Sequence, residues 1–297
     1  MKRVCVLMGG TSNERAVSLE SGRNVAEALA SLNKYEVLPL LLDADNLVEL
    51  PDGVDAAYIA LHGGWGENGG VQAELNRRGI AYTGPGARAS RIAMDKIETK
   101  KVLSAAGVAT APWRIVRPED LPIEASLGLP CVVKVPRDGS SVGVYLVKTA
   151  EELRKALLSG FEIDSTELLM EKYLAGREMT VGVIDGEALP SIEIVAPNGW
   201  YGYYEKYKSD ETRYPFLEDE KLDAKLREIA LRAYNALGCR GVTRVDFRVT
   251  EDGTPYVLEL NTSPGFTSHS LVPKAGMKTG LSFAEVCDRI LSCATID

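Results

Sequence analysis

The chain has 297 residues, of which 45% are hydrophobic and 26% are charged, and its formal net charge is −8. This length and composition are typical of a globular protein with an ample core and two or three subdomains, and they exclude a fibrous or disordered chain. The negative net charge argues against a general affinity for nucleic acid or for anionic membranes.

The first third of the chain alternates short apolar runs with an amphipathic segment. The predicted strand, helix, strand and strand cover residues 4–8, 16–32, 35–42 and 56–61. This order predicts a parallel α/β sheet in residues 1–89. Parallel sheets bind ligands beyond the carboxyl ends of their strands, where this chain has polar loops at residues 9–14 and 62–72.

The central part, residues 90–180, is predicted to be an α+β subdomain with antiparallel strands around a loop rich in glycine and serine at residues 136–142. The predicted elements are a helix at 90–106, strands at 130–135 and 143–147, a helix at 150–158 and a strand at 167–172. The loop is not a Walker motif, because the chain contains no G-x-x-x-x-G-K-[ST].

Residues 181–297 are predicted to form a second α+β subdomain. The segment 198–215 is predicted to be an aromatic loop. Its residues 201–212 are rich in tyrosine and alternating charge, a composition that suits a lid better than a core strand. The other predicted elements are strands at 179–183 and 189–195, a helix at 219–237, a β-hairpin and a C-terminal helix.

The predicted hairpin joins the strand-like runs 243–249 and 255–261. Asp252 and Gly253 lie between them, and this dipeptide is typical of a two-residue turn. Alternation with period two places an apolar set on the core-facing side of the hairpin. This set is Val245, Phe247, Val249, Tyr256, Leu258 and Leu260.

The other face of the hairpin carries two acids. With the turn centred at the Asp-Gly pair, Asp246 lies opposite Glu259, and Arg244 lies opposite Asn261. Opposed carboxylates have Cβ atoms about 5 Å apart and repel each other, so they predict a neutralising cation. Two carboxylates and an amide oxygen suit Mg²⁺, which takes further ligands from water and substrate phosphates. The alternative is a solvated face on which Arg244 and Arg248 screen the acids.

Lys134 is a cation in an otherwise apolar strand, and it precedes the glycine-rich loop. Gly139 and Gly143 permit close approach of the backbone to an anion, and the hydroxyls of Ser140 and Ser141 can donate to it. The pattern predicts a phosphate clamp. The alternative is a lysine that extends to solvent from an edge strand beside an ordinary flexible loop.

Three other polar residues have competing interpretations. Glu14 follows Thr11 by three residues, as in a helix capping box, but it also lies where it can hold a substrate ammonium group. His62 follows a buried strand, which suits a functional role and a packing role equally. The charge spacing around Lys96 by itself indicates a solvated helix face.

Two further segments have weaker signals. Residues 171–174 end a predicted strand with groups able to meet a nucleobase, and Glu178 can bond a ribose hydroxyl, although a strand leaving its sheet is the simpler interpretation. Gly265 and the N–H groups before Ser270 suit an oxyanion or a carboxylate.

Short motifs in this order resemble the D-alanine:D-alanine ligase family of the ATP-grasp group over nearly the full length of the chain. They lie at residues 9–15, 61–63, 66–67, 94–96, 133–134, 139–143, 171–172, 204–207, 244–246 and 259–265. The last two motifs are the most diagnostic. The resemblance implies a parallel-sheet domain followed by two α+β subdomains that clasp ATP.

The resemblance implies that ATP phosphorylates the carboxylate of one D-alanine. The amine of a second D-alanine then attacks the acyl phosphate, which gives the dipeptide used in peptidoglycan. The residues implied to hold ATP are Lys96, Lys134, Ser141, Glu171, Lys172, Leu174, Glu178 and Lys206. Two Mg²⁺ ions, which Mn²⁺ can replace, are implied at Asp246, Glu259 and Asn261.

The resemblance also implies roles around the two amino acids. Glu14, Ser140 and Tyr207 form a hydrogen-bonded set near the first amine, and His62 lies beside that substrate. Arg244 and the Gly265 N–H stabilise the tetrahedral intermediate. Ser270 and Leu271 receive the carboxylate of the second substrate.

The chain departs from the usual family pattern at Asn68 and Gly70, where relatives have Asp and Thr. Tyr207 resembles the dipeptide-forming type of lid. The alternatives are a related ligase that takes D-lactate or D-serine second, and a nucleotide-binding protein without ligase activity. A dinucleotide oxidoreductase is disfavoured because the G-x-G-x-x-G spacing is absent.

The five cysteines are odd in number and form no C-x-x-C, which predicts free thiols in a reducing compartment. They are Cys5, Cys131, Cys239, Cys287 and Cys293. No segment approaches about 18 consecutive apolar residues, so we expect a cytoplasmic protein without a membrane partner. The resemblance implies a homodimer.

Overall fold

The computed structural model describes residues 1–121, 123, 126–139, 142–197, 202 and 211–297. Three sheets organise this part of the chain. The predicted lid positions Lys206 and Tyr207 and the loop hydroxyls of Ser140 and Ser141 lie outside the described residues.

The N-terminal sheet is parallel, as predicted, with strand order β2-β1-β3-β4. Its strands are β1 (Lys2–Gly9), β2 (Tyr35–Leu42), β3 (Ala56–Ile59) and β4 (Ala81–Tyr82). Its helices are α1 (Arg15–Ser31), α2 (Gly64–Glu67) and α3 (Gly70–Arg77). Strand β4 was not predicted, because two residues are too few to show a period.

Side chains of β1 alternate between two apolar layers, since successive residues of a strand face opposite sides. Val4 and Val6 pack in the layer that contains α1, whereas Cys5 and Leu7 pack in the layer that contains α3.

The described cysteines form no disulfide, in agreement with the sequence prediction.

The central sheet is antiparallel, with order β5-β8-β6-β7. Its elements are α4 (Ala87–Met94), α5 (Lys96–Ala105), β5 (Trp113–Val116), a 3₁₀ turn (Pro118–Asp120), β6 (Cys131–Lys134), β7 (Val144–Val147), α6 (Ala150–Ile163) and β8 (Leu168–Lys172). The predicted boundary at residue 90 falls within α4. The prediction of one helix over 90–106 was wrong. Asp95 interrupts it, because its carboxylate accepts the N–H groups of Ile97 and Glu98 and so begins a second helix.

The third sheet has order β10-β9-β12-β13, and β11 also pairs with β9. Its elements are β9 (Arg177–Ile184), β10 (Glu187–Ala188), β11 (Ile192–Ile194), α7 (Glu220–Ala236), β12 (Val242–Val249), β13 (Pro255–Asn261), α8 (Leu271–Lys278) and α9 (Phe283–Ser292). The predicted boundary at residue 180 falls within β9, and the predicted strand 189–195 is shortened to β11. Helix α9 packs on α1, because Val286 and Ile290 share an apolar cluster with Val25 and Leu29.

Candidate active site

One pocket lies where the three sheets meet. Every described residue that the sequence analysis assigned to the site lines it: Glu14, His62, Lys96, Lys134, Glu171, Lys172, Leu174, Glu178, Arg244, Asp246, Glu259, Asn261, Gly265, Ser270 and Leu271. These residues come from the strand ends of the N-terminal sheet, from the central sheet and from the β12–β13 hairpin. The fold therefore gathers groups that are far apart in the sequence.

The hairpin has the predicted pairing at its functional half. Asp246 lies opposite Glu259 and Arg244 lies opposite Asn261. The predicted two-residue turn was wrong, because Thr250 N–H donates to Thr254 O across a three-residue loop. A β-bulge between the turn and Asp246 adds one residue to β13 and restores the register.

The bulge corrects the predicted core face. Phe247 pairs with Val257, which is fully buried, so Tyr256 and Leu258 do not occupy the core positions assigned to them. Leu258 instead lines the pocket. This apolar wall was not predicted, because the prediction assumed that side chains alternate without a break along β13.

Asp246 is buried and held by three neighbours. Arg244 donates from Nε and Nη2 to the two carboxylate oxygens at 2.9 and 2.8 Å. Thr180 Oγ1 donates to Oδ1 at 2.6 Å, and Asn261 Nδ2 donates to Oδ2 at 3.0 Å. Arg244 thus screens one acid, as in the alternative interpretation of this hairpin face, whereas Arg248 pairs with Glu178 at 2.9 Å.

Glu259 differs from Asp246, because it forms no hydrogen bond or ion pair with any residue in the described part of the chain. It lies directly opposite Asp246 in the hairpin and lines the pocket. An unpaired carboxylate beside a second carboxylate and an amide is a hard-oxygen donor set, so these residues fit a divalent cation. Among the described residues no group of three or more His, Cys, Asp or Glu side chains is arranged for a metal.

Glu171 lies between two lysines on the central sheet. Its Oε1 is 3.1 Å from Lys100 Nζ, and its Oε2 is 2.9 Å from Lys134 Nζ. Burial acts to raise the pKa of Glu171, but the two ammonium groups outweigh that effect and hold it at about 2. Its carboxylate is therefore charged and is committed to these lysines.

Lys100 was missed by the sequence analysis, although only 1% of its side chain is exposed. Burial lowers the pKa of Lys100, and the Glu171 carboxylate opposes that effect. A signal existed: Ile97 and Leu103, three residues before and after it, are buried on the same helix, so Lys100 occupies a core-facing position.

The first residues of the glycine-rich loop are fixed to helix α5. Lys96 N–H donates to Pro136 O at 2.9 Å, and Lys96 Nζ donates to Asp138 O. Arg137 forms ion pairs with three acids of the central subdomain, at distances of 2.6 to 3.0 Å. These acids are Asp95, Asp164 and Glu167. The entry to the loop is thus held in place while Lys96 lines the pocket.

The residues after β8 form another wall. Lys172 is exposed and Leu174 is half-buried, and both line the pocket. Glu178 also lines it while accepting from Arg248. The chain leaves the central sheet after β8, as in the simpler interpretation, and it also lines the pocket there.

Glu14 does not form the capping box that its spacing suggests. It occupies the N-cap of α1 without a side-chain cap hydrogen bond, and Thr11 Oγ1 donates to Asp45 Oδ1 instead. The carboxylate of Glu14 lies against two loops, because a Cβ built at Gly63 or Gly139 would be 2.7 or 3.5 Å from its Oε2. The structure therefore favours the interpretation that placed Glu14 in the pocket.

His62 is buried with both ring nitrogens engaged. Nδ1 lies 2.9 Å from Ser263 O, so this nitrogen carries the proton and donates. Nε2 lies 3.1 Å from Ser21 Oγ, which accepts Phe266 N–H and so directs its own proton to the ring. Burial lowers the pKa of His62, which favours this neutral tautomer. His62 therefore connects α1 to the loop before α8.

Glu67 lies in the motif at residues 66–67, and no role was predicted for it. It accepts Gly63 N–H at 3.0 Å and lines the pocket. Burial and the nearby carboxylates of Glu14 and Glu259 raise the pKa of Glu67 to about 8, although Gly63 N–H and Arg244 act against them. The side chain is mainly protonated at neutral pH.

The departure at Gly70 has a local cause. A Cβ at this position would overlap the indole ring of Trp65, which covers the start of α3. Asn68 Oδ1 accepts Gly70 N–H at 3.0 Å, so this side chain closes the turn between α2 and α3. The two departures therefore fit the local structure: Gly70 leaves room for Trp65, and Asn68 closes the turn.

The loop before α8 presents a hydroxyl to the pocket. Ser270 Oγ accepts Thr267 N–H at 2.8 Å and shares a second hydrogen bond of 3.1 Å with Thr267 Oγ1. Gly265 lies beside it, since an added Cβ would be 2.8 Å from Ser270 Oγ. Leu271 is buried at the start of α8.

A parallel-sheet domain and two antiparallel α+β lobes around a pocket of lysines and hairpin carboxylates define an ATP-grasp enzyme. The family model described as the C-terminal part of D-ala D-ala ligase matches residues 102–292. The D-alanine:D-alanine ligase of Anaeromyxobacter dehalogenans (strain 2CP-C) is 44% identical, with 99% of this chain and 97% of the relative covered. That of Syntrophotalea carbinolica is 43% identical with the same coverage. This chain belongs to the D-alanine:D-alanine ligase family.

Solved structures agree with this assignment. The crystal structure of the Bacillus anthracis D-alanine:D-alanine ligase complexed with ATP is 36% identical, with a TM-score of 0.87 over 99% of this chain and 97% of that one. The VanG D-Ala:D-Ser ligase of Enterococcus faecalis is 29% identical, with a TM-score of 0.86 over 98% and 99%. Ligases with different second substrates therefore share this fold.

Proposed function

We propose that this protein joins two D-alanine molecules to D-alanyl-D-alanine, with conversion of ATP to ADP and phosphate. The product would serve peptidoglycan precursor synthesis, and hence cell wall biogenesis and cell shape. The observation that carries the proposal is the convergence of the predicted ATP, metal and substrate residues on one pocket.

The first step is phosphoryl transfer. A carboxylate oxygen of the first D-alanine attacks the γ-phosphorus of ATP, and the bond to the β-phosphate oxygen breaks to release ADP. Lys96 and Lys134 lie in the pocket with charge that suits the phosphates. Lys172, Leu174 and Glu178 line the part of the pocket proposed for the base and ribose. Lys206 and Ser141, outside the described residues, stay predicted ATP contacts.

Asp246, Glu259 and Asn261 would hold two Mg²⁺ ions, with Mn²⁺ as a substitute. In that place the ions would supply positive charge to the phosphate oxygens during transfer. Asn261 donates its amide N–H to Asp246, which leaves its carbonyl oxygen to act as the ligand. Arg244 would share Asp246 with the cation.

The second step is acyl transfer. The amine of the second D-alanine attacks the acyl carbon, and inorganic phosphate leaves. Glu14 would hold the ammonium group of the first D-alanine, while Arg244 and the Gly265 N–H stabilise the oxyanion. Ser270 would donate to the carboxylate of the second substrate beside Leu271. Ser140 and Tyr207 are predicted to join Glu14.

His62 serves this chemistry by positioning. Both of its ring nitrogens bond protein groups, and one of these is the carbonyl of Ser263, two residues before Gly265. The ring thereby fixes the loop whose Gly265 N–H would donate to the oxyanion in the proposed complex. A proton-transfer role would require one of these bonds to break.

We also propose a cytoplasmic location, because the substrate ATP and the unpaired thiols suit a reducing cytoplasm. The homodimer that the family resemblance implies is part of the same proposal. None of the described helices is long and apolar enough to cross a membrane. Analytical ultracentrifugation tests the dimer, and a sedimentation coefficient of a single 32.2 kDa chain at micromolar concentration would reject it.

The reaction is tested by phosphate release from ATP with D-alanine, L-alanine, D-serine and D-lactate, alone and in pairs, with and without Mg²⁺. Mass spectrometry identifies the products. We expect D-alanyl-D-alanine to form with one phosphate per dipeptide, only in the presence of the metal. Mainly ester or D-alanyl-D-serine from mixtures would reject the proposed second substrate, and no amino-acid-dependent phosphate release would reject ligase activity.

A further inference from the structure

A buried cation lies behind the wall of the nucleotide pocket and does not reach the pocket surface. Lys100 is 1% exposed, and its ammonium group has three protein partners. It donates to Thr110 Oγ1 at 2.6 Å and to Ala111 O at 3.4 Å, and it lies 3.1 Å from Glu171 Oε1. Thr110 and Ala111 thus take two of the three N–H donors of this ammonium group. Its charge is paired with the Glu171 carboxylate, whose Oε1 accepts no hydrogen bond among the described residues.

The partner of Lys100 is shared with a lysine that does line the pocket. Lys134 contacts the other oxygen of Glu171 at 2.9 Å, and 13% of its side chain is exposed. One carboxylate between two ammonium groups leaves one positive charge in excess. Without Lys100, Glu171 would neutralise Lys134, and the group as a whole would present no net charge to a polyanion.

Lys100 also joins the two lobes around the pocket. Thr110 Oγ1, which accepts from Lys100, donates to Val257 O at 2.8 Å, and Val257 N–H donates to Ala109 O at 2.9 Å. Val257 is in β13, two residues before Glu259. The buried ammonium group is therefore linked to the central sheet and, through one hydroxyl, to the metal-site hairpin.

We propose that Lys100 is a positioning residue for ATP, which compensates Glu171 from the protein interior so that Lys134 keeps its charge available to the nucleotide. The inference rests on the proposed use of ATP. It assigns no contact with substrate to Lys100. Glu171 accordingly acts as a bridge between the buried and the accessible cation.

The test compares the steady-state constants of three variants of the full-length protein. Two are the single variants Lys100→Met and Lys100→Arg. The third is a double variant that combines Lys100→Met with Glu171→Gln. Wild-type turnover first establishes ATP use, so failure of the proposed function is seen separately. We expect Lys100→Met to raise the KM for ATP about tenfold, equivalent to about 1.4 kcal/mol. The KM for D-alanine should stay within about twofold, because the altered charge lies behind the nucleotide site.

Two variants separate charge from packing. Lys100→Arg keeps the charge, so its KM for ATP should return to within about threefold of the wild type. In the double variant neither Glu171 nor Lys100 is charged, Lys134 is again in excess, and the KM should fall below that of Lys100→Met. The matched control is Lys101→Met, which removes the same charge from an exposed neighbour paired with Glu98 and should leave the KM unchanged.

A KM for ATP within twofold of the wild type in folded Lys100→Met would overturn the proposal. So would a double variant no better than Lys100→Met, since Glu171 would then matter for reasons other than its charge. If Lys100→Met does not fold, Lys100→Gln takes its place, because it also removes the charge but keeps a polar end beside Thr110. A KM for ATP raised about tenfold then supports the proposal, and a KM within twofold of the wild type overturns it.

Discussion

Two charged clusters in the same pocket have opposite composition. The nucleotide cluster has three lysines and one carboxylate, and consists of Lys96, Lys100, Lys134 and Glu171. The reaction cluster has four carboxyl groups, of which that of Glu67 is mainly protonated, and one guanidinium. It consists of Glu14, Glu67, Arg244, Asp246 and Glu259. The first suits a polyphosphate, and the second suits metal cations and a substrate ammonium group. The pocket is thus complementary to a pair of ligands that neither cluster could hold alone.

The clusters also differ in how the protein satisfies its own charges. Glu171 is compensated on both sides before any ligand binds, and its pKa is held at about 2. In the reaction cluster Glu259 has no partner among the described residues, and the pKa of Glu67 is raised to about 8. The nucleotide cluster is therefore preorganised, whereas the reaction cluster keeps charge for the cationic ligands proposed above.

The largest expected effect comes from breaking the reaction cluster at Glu259→Gln. The amide keeps the shape of the side chain but removes the negative charge proposed to hold the metals. We expect kcat to fall about 10³-fold, with the KM for ATP changed much less, because the loss falls on charge stabilisation during transfer. Initial rates across a Mg²⁺ titration measure both constants.

Glu251→Gln is the matched control for that variant, since Glu251 is exposed in the turn of the same hairpin. It should behave like the wild type. Retention of a third or more of the wild-type kcat in Glu259→Gln would contradict the assignment of Glu259 to the metal site.

An intermediate effect is expected from breaking the nucleotide cluster at Lys134→Met. The remaining Lys100 and Glu171 neutralise each other, and no ammonium group faces the nucleotide from β6. The KM for ATP should rise about 10- to 100-fold, while the KM for D-alanine stays within about threefold. The same assays with Lys148→Met, an exposed lysine after β7, provide the comparison. Equal increases in both KM values would show that the two clusters are not separable.

The smallest effect concerns the protonated acid of the reaction cluster. The pKa of Glu67 is raised from 4.5 to about 8 in the folded protein, so between these values the folded state retains a proton that the unfolded state has released. The free energy of unfolding contributed by this group therefore falls as the pH rises from about 4.5 to about 8. Glu67→Gln stays neutral at every pH, and it should remove this dependence.

Thermal melts of the ligand-free protein at pH 5 and pH 8.5 measure that difference. We expect wild type and Glu67→Gln to melt together at pH 5 and the variant to melt higher at pH 8.5, by roughly 2–4 °C for each 1 kcal/mol. Glu49→Gln, at an exposed position of the same domain, should follow the wild type. A lower melting temperature for Glu67→Gln at pH 8.5 would mean that Glu67 is ionised and paired.

The hairpin illustrates how far local pattern reaches. The opposed pair Asp246 and Glu259 was predicted correctly, yet from a turn one residue too short, and an unforeseen bulge compensated for that error. A bulge depends on how a strand twists against its neighbours, and no residue type in β13 signals it. The correct register near Asp246 was thus reached despite an incorrect turn.

Lys100 and His62 show the limit more clearly. In the sequence Lys100 is one of several charges on an apparently solvated helix, and its burial depends on Glu171, 71 positions away. His62 was equally suited to function and to packing. Its two hydrogen bonds, to Ser21 and Ser263, come from segments on either side of the chain's midpoint. Such partners are brought together only by the fold.

The sequence by itself determined the strand and helix order, the parallel first sheet and the residue types of the two clusters, because periodicity and motif spacing are local properties of the chain. Only the tertiary structure decided which of those charges are paired. Pairing depends on distances of about 3 Å between elements that are far apart in the sequence, and these distances set whether a carboxylate is compensated like Glu171 or left for a ligand like Glu259.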